Sequence, residues 1–159
     1  LMPEHCTRAY GCPGKLYMNV DFPDGKKAIL FDLQWPRKSP CRLPEALWLS
    51  FCPRTSNQKA WRLEKLGQLI SPLDIVRDSN CKLHAVQSVR YDAGDGRFVI
   101  ENLDAPLVAP GKPSLLDFNN RKPRLKQGVH FNLYNNVWGT NFPMWFGEPA
   151  RFRFWMTFC

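Results

Sequence analysis

Apolar and polar residues alternate in short runs along most of this chain, and Gly, Pro, Asn and Asp punctuate the runs. Leu16-Tyr17-Met18-Asn19-Val20 and Ala28 to Leu33 flank Pro23-Asp24-Gly25, a pattern that predicts a β-hairpin. Leu47 to Phe51, Trp61 to Leu66, Leu83 to Val86 and Val89 to Tyr91 have the length and composition of further strands. Tyr91 to Phe98 reads as a second hairpin connection, leading into Phe98 to Leu103. A Pro-rich crossing from Ala105 to Pro113 follows, and strands around Phe131 and Phe154 finish the chain. Ala60 to Ile70 has mixed periodicity and is taken as strand. The total is about nine antiparallel strands, at a spacing typical of sandwiches and barrels. The 14 prolines argue against long helices. The expected fold is all-β, a single β-sandwich spanning 1–159.

Size and cysteine count refine this picture. With 159 residues the chain can bury roughly two-thirds of its unfolded surface in one core. No apolar run approaches the ~18 residues that a membrane span needs, so none is expected. The first residue is Leu1, with no charged-then-apolar leader after it, which suits a matured product or a fragment. Six cysteines without a CxxC pair read as three disulfides in an oxidising, extracellular compartment. Pairing in sequence order would join Cys6 to Cys12, Cys41 to Cys52 and Cys81 to Cys159, making residues 1–14 a disulfide-tethered N-terminal segment. Count alone leaves the connectivity open, and zinc is the weaker reading of His5, Cys6 and Cys12.

The formal net charge is +8. Its carriers are dispersed over Arg37-Lys38, Arg42, the run Arg121 to Lys126, and Arg151 with Arg153. Such runs are usually solvated loops; the functional alternative is an acidic polysaccharide held by the basic loops, an anionic lipid surface or a nucleic acid. Nucleic acid is not expected, because no known binding motif is present. Nucleophile elbows, HExxH and Gly-rich phosphate loops are also missing, so the chain is not read as an independent enzyme and no cofactor or metal is expected.

Gly128 to Arg151, GVHFNLYNNVWGTNFPMWFGEPAR, is rich in rings and side-chain amides. Amides donate and accept at once, and an indole offers a flat apolar face, the pair of chemistries that a sugar ring with its hydroxyls requires. The candidate ligand-binding residues are His130, Asn132, Asn135, Asn136, Trp138, Thr140 and Asn141, with Trp138 as the stacking plate. Asn and Gly also build tight turns, and Trp138 could equally cap a core. Trp138, Phe142, Trp145 and Phe146 must either fold back on the sheet or form an exposed apolar patch.

NLYNNVWGTNFPMW, followed by ARFRF, resembles the C-terminal signature of a secreted family of unknown function whose front portion is similar to the family 38 α-mannosidases. RLPEALWLSF at Arg42 to Phe51, KLHAV at Lys82 to Val86 and LDAPLVAPG at Leu103 to Gly111 extend the resemblance in the same order over most of 15–158. The region corresponding to the catalytic barrel is absent, so no catalytic residue carries over. The resemblance implies a β-rich C-terminal module that packs on a catalytic domain. Three functions follow as expectations. The first is a secreted, lectin-like, non-catalytic module for glycans, for which a homo-oligomer would raise avidity. The second is the C-terminal chain of a processed glycoside hydrolase. The third is a basic toxin or defence protein acting on membranes or polyanions.

Overall fold

Lys26 N donates to Pro23 O at 3.1 Å and closes the first predicted turn. The structure is a computed structural model and describes residues 3–78, 83–117, 119–137 and 145–159. A short helix, α1 (Glu4–Tyr10), precedes the strands β1 (Tyr17–Asp21), β2 (Ala28–Trp35), β3 (Ala46–Phe51), β4 (Trp61–Lys65) and β5 (Gln68–Ile70). The chain continues through β6 (His84–Ala85), β7 (Ser88–Ala93), β8 (Gly96–Asn102), β9 (Leu107–Pro110), β10 (Val129–Asn135) and β11 (Ala150–Phe158). Seven strands form one antiparallel sheet in the order β1-β2-β11-β8-β7-β4-β5, and four form the other in the order β3-β10-β9-β6.

Side-chain alternation decides how the sheets meet. On β11, Phe152, Phe154 and Met156 are buried while Arg151, Arg153 and Trp155 face outward. Trp155 thus lies on the arginine side of the strand, with Lys26 Nζ 5.4 Å from its ring centre. Phe154 meets Phe131 of the facing sheet at 4.9 Å between ring centres and Phe51 at 5.5 Å, so one aromatic cluster joins the sheets. Trp35, Trp61, Leu63, Ile100 and Val108 extend this core. Burying each such side chain contributes about 1.5–3 kcal/mol.

Two expectations need correction. Among the described residues there are eleven strands, not nine. The extra ones are β5, a three-residue return after the Leu66-Gly67 turn, and β9, inside the Pro-rich crossing. Pro110 is tolerated because it ends its strand. The disulfide framework is not present either: Cys6, Cys12, Cys41, Cys52 and Cys159 are all unbridged, and Cys81 lies outside the described residues. Cys41 and Cys52 lie beyond opposite ends of β3, which carries the chain roughly 17 Å, whereas bridged Cα atoms lie within about 7 Å. Cys6 and Cys12 are kept apart by α1 and its left-handed cap at Gly11, whose N–H bonds to Thr7 O at 3.0 Å. What tethers the N-terminal segment is packing: Gly11 is buried so closely that a Cβ there would come within 2.5 Å of Cys41 Cβ.

Candidate functional site

β10 carries the residues singled out by sequence and lies between β3 and β9. Val129 and Phe131 point into the core, and on the opposite face His130 and Asn132 are buried as well, at 6% exposure each. Ser50, opposite His130 on β3, lies with its Oγ 2.7 Å from His130 Nδ1. The His130 Nε2 makes no well-aligned hydrogen bond, and burial holds the imidazole below its ordinary pKa, opposed by backbone groups at Gly111 and Gln127. The ladder with β3 slips between Asn132 and Tyr134, so Leu133 is the extra residue of a bulge. Asn132 spans the slip: its Nδ2 donates to Leu47 O and Tyr134 O, and its Oδ1 accepts from Asn135 Nδ2 at 2.7 Å.

Past the end of β10, Asn136 holds the strap that crosses from β2 to β3. Its Nδ2 donates to the carbonyls of Cys41 and Leu43 at 3.0 and 2.9 Å, and its Oδ1 accepts from Glu45 N. All the hydrogen-bonding directions of this amide except one acceptor lone pair are thus used on backbone. Beneath the strap Lys38 is almost completely buried; it pairs with Glu45 and places its Nζ 4.8 Å from the centre of the Tyr134 ring. Burial, and then the Glu45 carboxylate, push the Tyr134 hydroxyl above its usual pKa. Lys38 Nζ also donates to Ser39 O at 3.3 Å, and the Tyr134 hydroxyl meets the backbone at Phe146, so these polar groups are engaged within the corner. Phe146 packs on the other side of Tyr134 at 6.1 Å, and Gly147 is pressed against Pro40.

The strap presents one more cation outward. The guanidinium of Arg42 lies 4.4 Å from the centre of the Trp145 ring, and Trp145 and Phe146 remain 40% and 38% exposed. The corner therefore offers two partly open rings, a stacked guanidinium and, at the edge of the sheet, the half-buried Asn135. Such a surface can bind a flat apolar face bordered by acceptors. Its position at the end of β10 is set by the Asn136 bonds.

No protein-family model, curated protein or solved structure matches this chain. What the corner can do therefore has to come from its own chemistry.

Of the seven residues chosen from sequence, His130, Asn132, Asn135 and Asn136 come together on one strand and its exit. Three of these four are buried. Trp138, Thr140 and Asn141 lie outside the described residues. Sequence reading missed Arg42 and Trp145 as a pair and Lys38 as a buried cation. Nothing local announces either, because their partners sit in other segments and a lysine between prolines has the composition of a loop. Three carboxylates serve the fold: Asp95 accepts from Tyr91 Oη and Ser56 N, Asp92 pairs with Arg97, and Asp104 pairs with Arg153. These hydrogen bonds hold Asp95 and Asp104 below the ordinary carboxylate range, Asp95 chiefly through Tyr91 and Asp104 chiefly through Arg153. No described helix is long and apolar enough to cross a membrane.

Proposed function

We propose that this chain is a non-catalytic, lectin-like carbohydrate-binding β-sandwich module whose sugar surface is the corner of Arg42, Trp145 and Phe146, bordered by Asn135. The supporting observation is that Trp145 is held by a stacked guanidinium yet left 40% exposed. A fixed ring that is not needed by the core can act as a plate for the C–H face of a sugar, and Arg42 keeps N–H donors for its hydroxyls. The Asn136 amide then has a supporting part: it pins the strap that carries Arg42. An extracellular setting rests on the family resemblance, since the bridges that first argued for it are absent among the described residues.

The experiment is glycan-array binding of the intact chain and of Trp145→Ala, with thermal melts on the same samples. Binding by the parent and loss in a variant that melts within a few degrees of it is expected. Flat signals for mannose, galactose, glucose and uronic-acid glycans would reject the reading.

A second reading is favoured by the coincidence of the resembling segment with this corner. In it the chain is the C-terminal part of a processed glycoside hydrolase, and the corner meets a catalytic domain. An upstream reading frame encoding a barrel would support it; a signal peptide directly before Leu1 would exclude it.

A further inference from the structure

At the other end of β10 the chain encloses a cleft of about 470 Å³ between residues 110–117 and 119–127. Its lining includes Lys112, Arg121, Lys122 and Arg124, and a single carboxylate, Asp117. That carboxylate is already engaged, 3.0 Å from Lys112 Nζ and bonded to Asn119 Nδ2. Lys122 and Arg124 form no ion pair among the described residues. Lys122 and Arg124 thus bring two positive charges without an ion-pair partner to one concave site, and an anionic group entering the cleft relieves their mutual repulsion.

The walls are fixed rather than pliant. Gly111 has φ +85, and a Cβ on it would come within 2.8 Å of Arg124 N, so the first wall lies directly against the second. Gly111 N donates to Gly128 O at 2.8 Å, and Gln127 N to Arg124 O at 2.9 Å, which ties both walls to the start of β10. A rigid basic cleft of this volume matches a pendant carboxylate or sulfate with the sugar that bears it. A duplex or a bilayer would instead need the cations spread along a groove or over a face.

We propose that this cleft binds the carboxylate or sulfate groups of an acidic polysaccharide, with Lys122 and Arg124 as the principal contacts and Lys112 and Arg121 completing the cationic ring. This site is separate from the neutral-sugar corner and does not depend on it.

The test uses the full chain with a heparin hexasaccharide, an oligogalacturonide and inorganic phosphate as probes, measured by calorimetry at about 0.15 M salt. Lys122→Glu/Arg124→Glu is compared with Lys27→Glu/Lys59→Glu, which makes the same change in net charge at exposed positions elsewhere. The cleft variant should lose at least tenfold in affinity for an acidic oligosaccharide, while the control loses less than threefold. Circular dichroism and thermal melts check that both remain folded; if the cleft variant does not, Lys122→Gln/Arg124→Gln replaces it. Equal losses in the two variants would show that net charge alone drives binding and would overturn the proposal. Phosphate binding as tightly as the oligosaccharides would overturn the polysaccharide assignment, as would failure of both oligosaccharides to bind the parent.

Discussion

Asn136 and Glu45 exchange two hydrogen bonds: Asn136 N donates to Glu45 O at 3.1 Å, and Glu45 N donates to Asn136 Oδ1 at 2.5 Å. With the two further bonds from Asn136 Nδ2 to the strap, this joins the exit of β10 to the entry of β3. Asn136→Ala leaves three partly buried backbone groups without partners and should cost roughly 1–3 kcal/mol in urea unfolding. Asn136→Asp sets an anion against the Cys41 and Leu43 carbonyls and should cost at least as much. A change below the error of the measurement in both variants would show that water replaces the amide.

Lys38 and Glu45 form a buried pair, so removing one partner leaves the other charge uncompensated. Lys38→Met should destabilise the fold by about 3–5 kcal/mol, and adding Glu45→Gln should recover much of that loss. A double variant as unstable as the single one would mean that the stem of Lys38, not its charge, is what the site requires.

Leu66 is the first residue of a two-residue turn between β4 and β5 and has φ +50, where a β-carbon is strained; its side chain is 96% exposed. Replacing it sacrifices almost no burial. Leu66→Asn ahead of Gly67 supplies the residue pair that such turns favour and should raise stability by about 0.5–1 kcal/mol. A lower melting temperature would contradict this assignment of the strain.

His130 gives a pH dependence whose sign is set by its lowered folded pKa. The unfolded imidazole titrates near ~6.5, so between the folded value and ~6.5 the unfolded chain binds more protons than the native one. Stability from this group is fully present above ~6.5 and is lost as the pH falls through that window, with no further loss below the folded value. The melting temperature should be lower at pH 5.5 than at pH 7.5, and His130→Gln should shrink that difference. An unchanged difference would assign it to other groups.

With five described cysteines unbridged, reductant should leave the melting temperature unchanged. Thiol titration of denatured, unreduced protein should find at least five reactive groups. Fewer would show bridges that form outside the arrangement described.

Period-two runs made the fold class readable, because a strand covered on one face writes its burial directly into the order of residues. β11 is the clearest case: Phe152 and Phe154 could be assigned to the core from spacing alone. β5 and β9 were not readable in that way, being too short for alternation and, in β9, ending on a proline. The site was legible only as a region. Amides at 132, 135 and 136 look the same in sequence whether they face a sugar or a neighbouring carbonyl, and only the slip at Leu133 and the strap at Cys41 to Glu45 decide which. Arg42 and Trp145 are 103 positions apart in the chain, so their stacking is a property of the topology.

β10 separates the rings of the corner from the cations of the cleft by roughly 20 Å, the length of a seven-residue strand. β3 pairs along β10 as far as Asn135 and β9 along its first three residues, which makes the strand a stiff spacer. An acidic saccharide too short to reach from one end to the other would gain from only one of them, whereas a chain of matching length would engage both, the second contact being made at high effective concentration. Discrimination by polymer length would then come from the backbone of one strand, without any residue that measures the ligand.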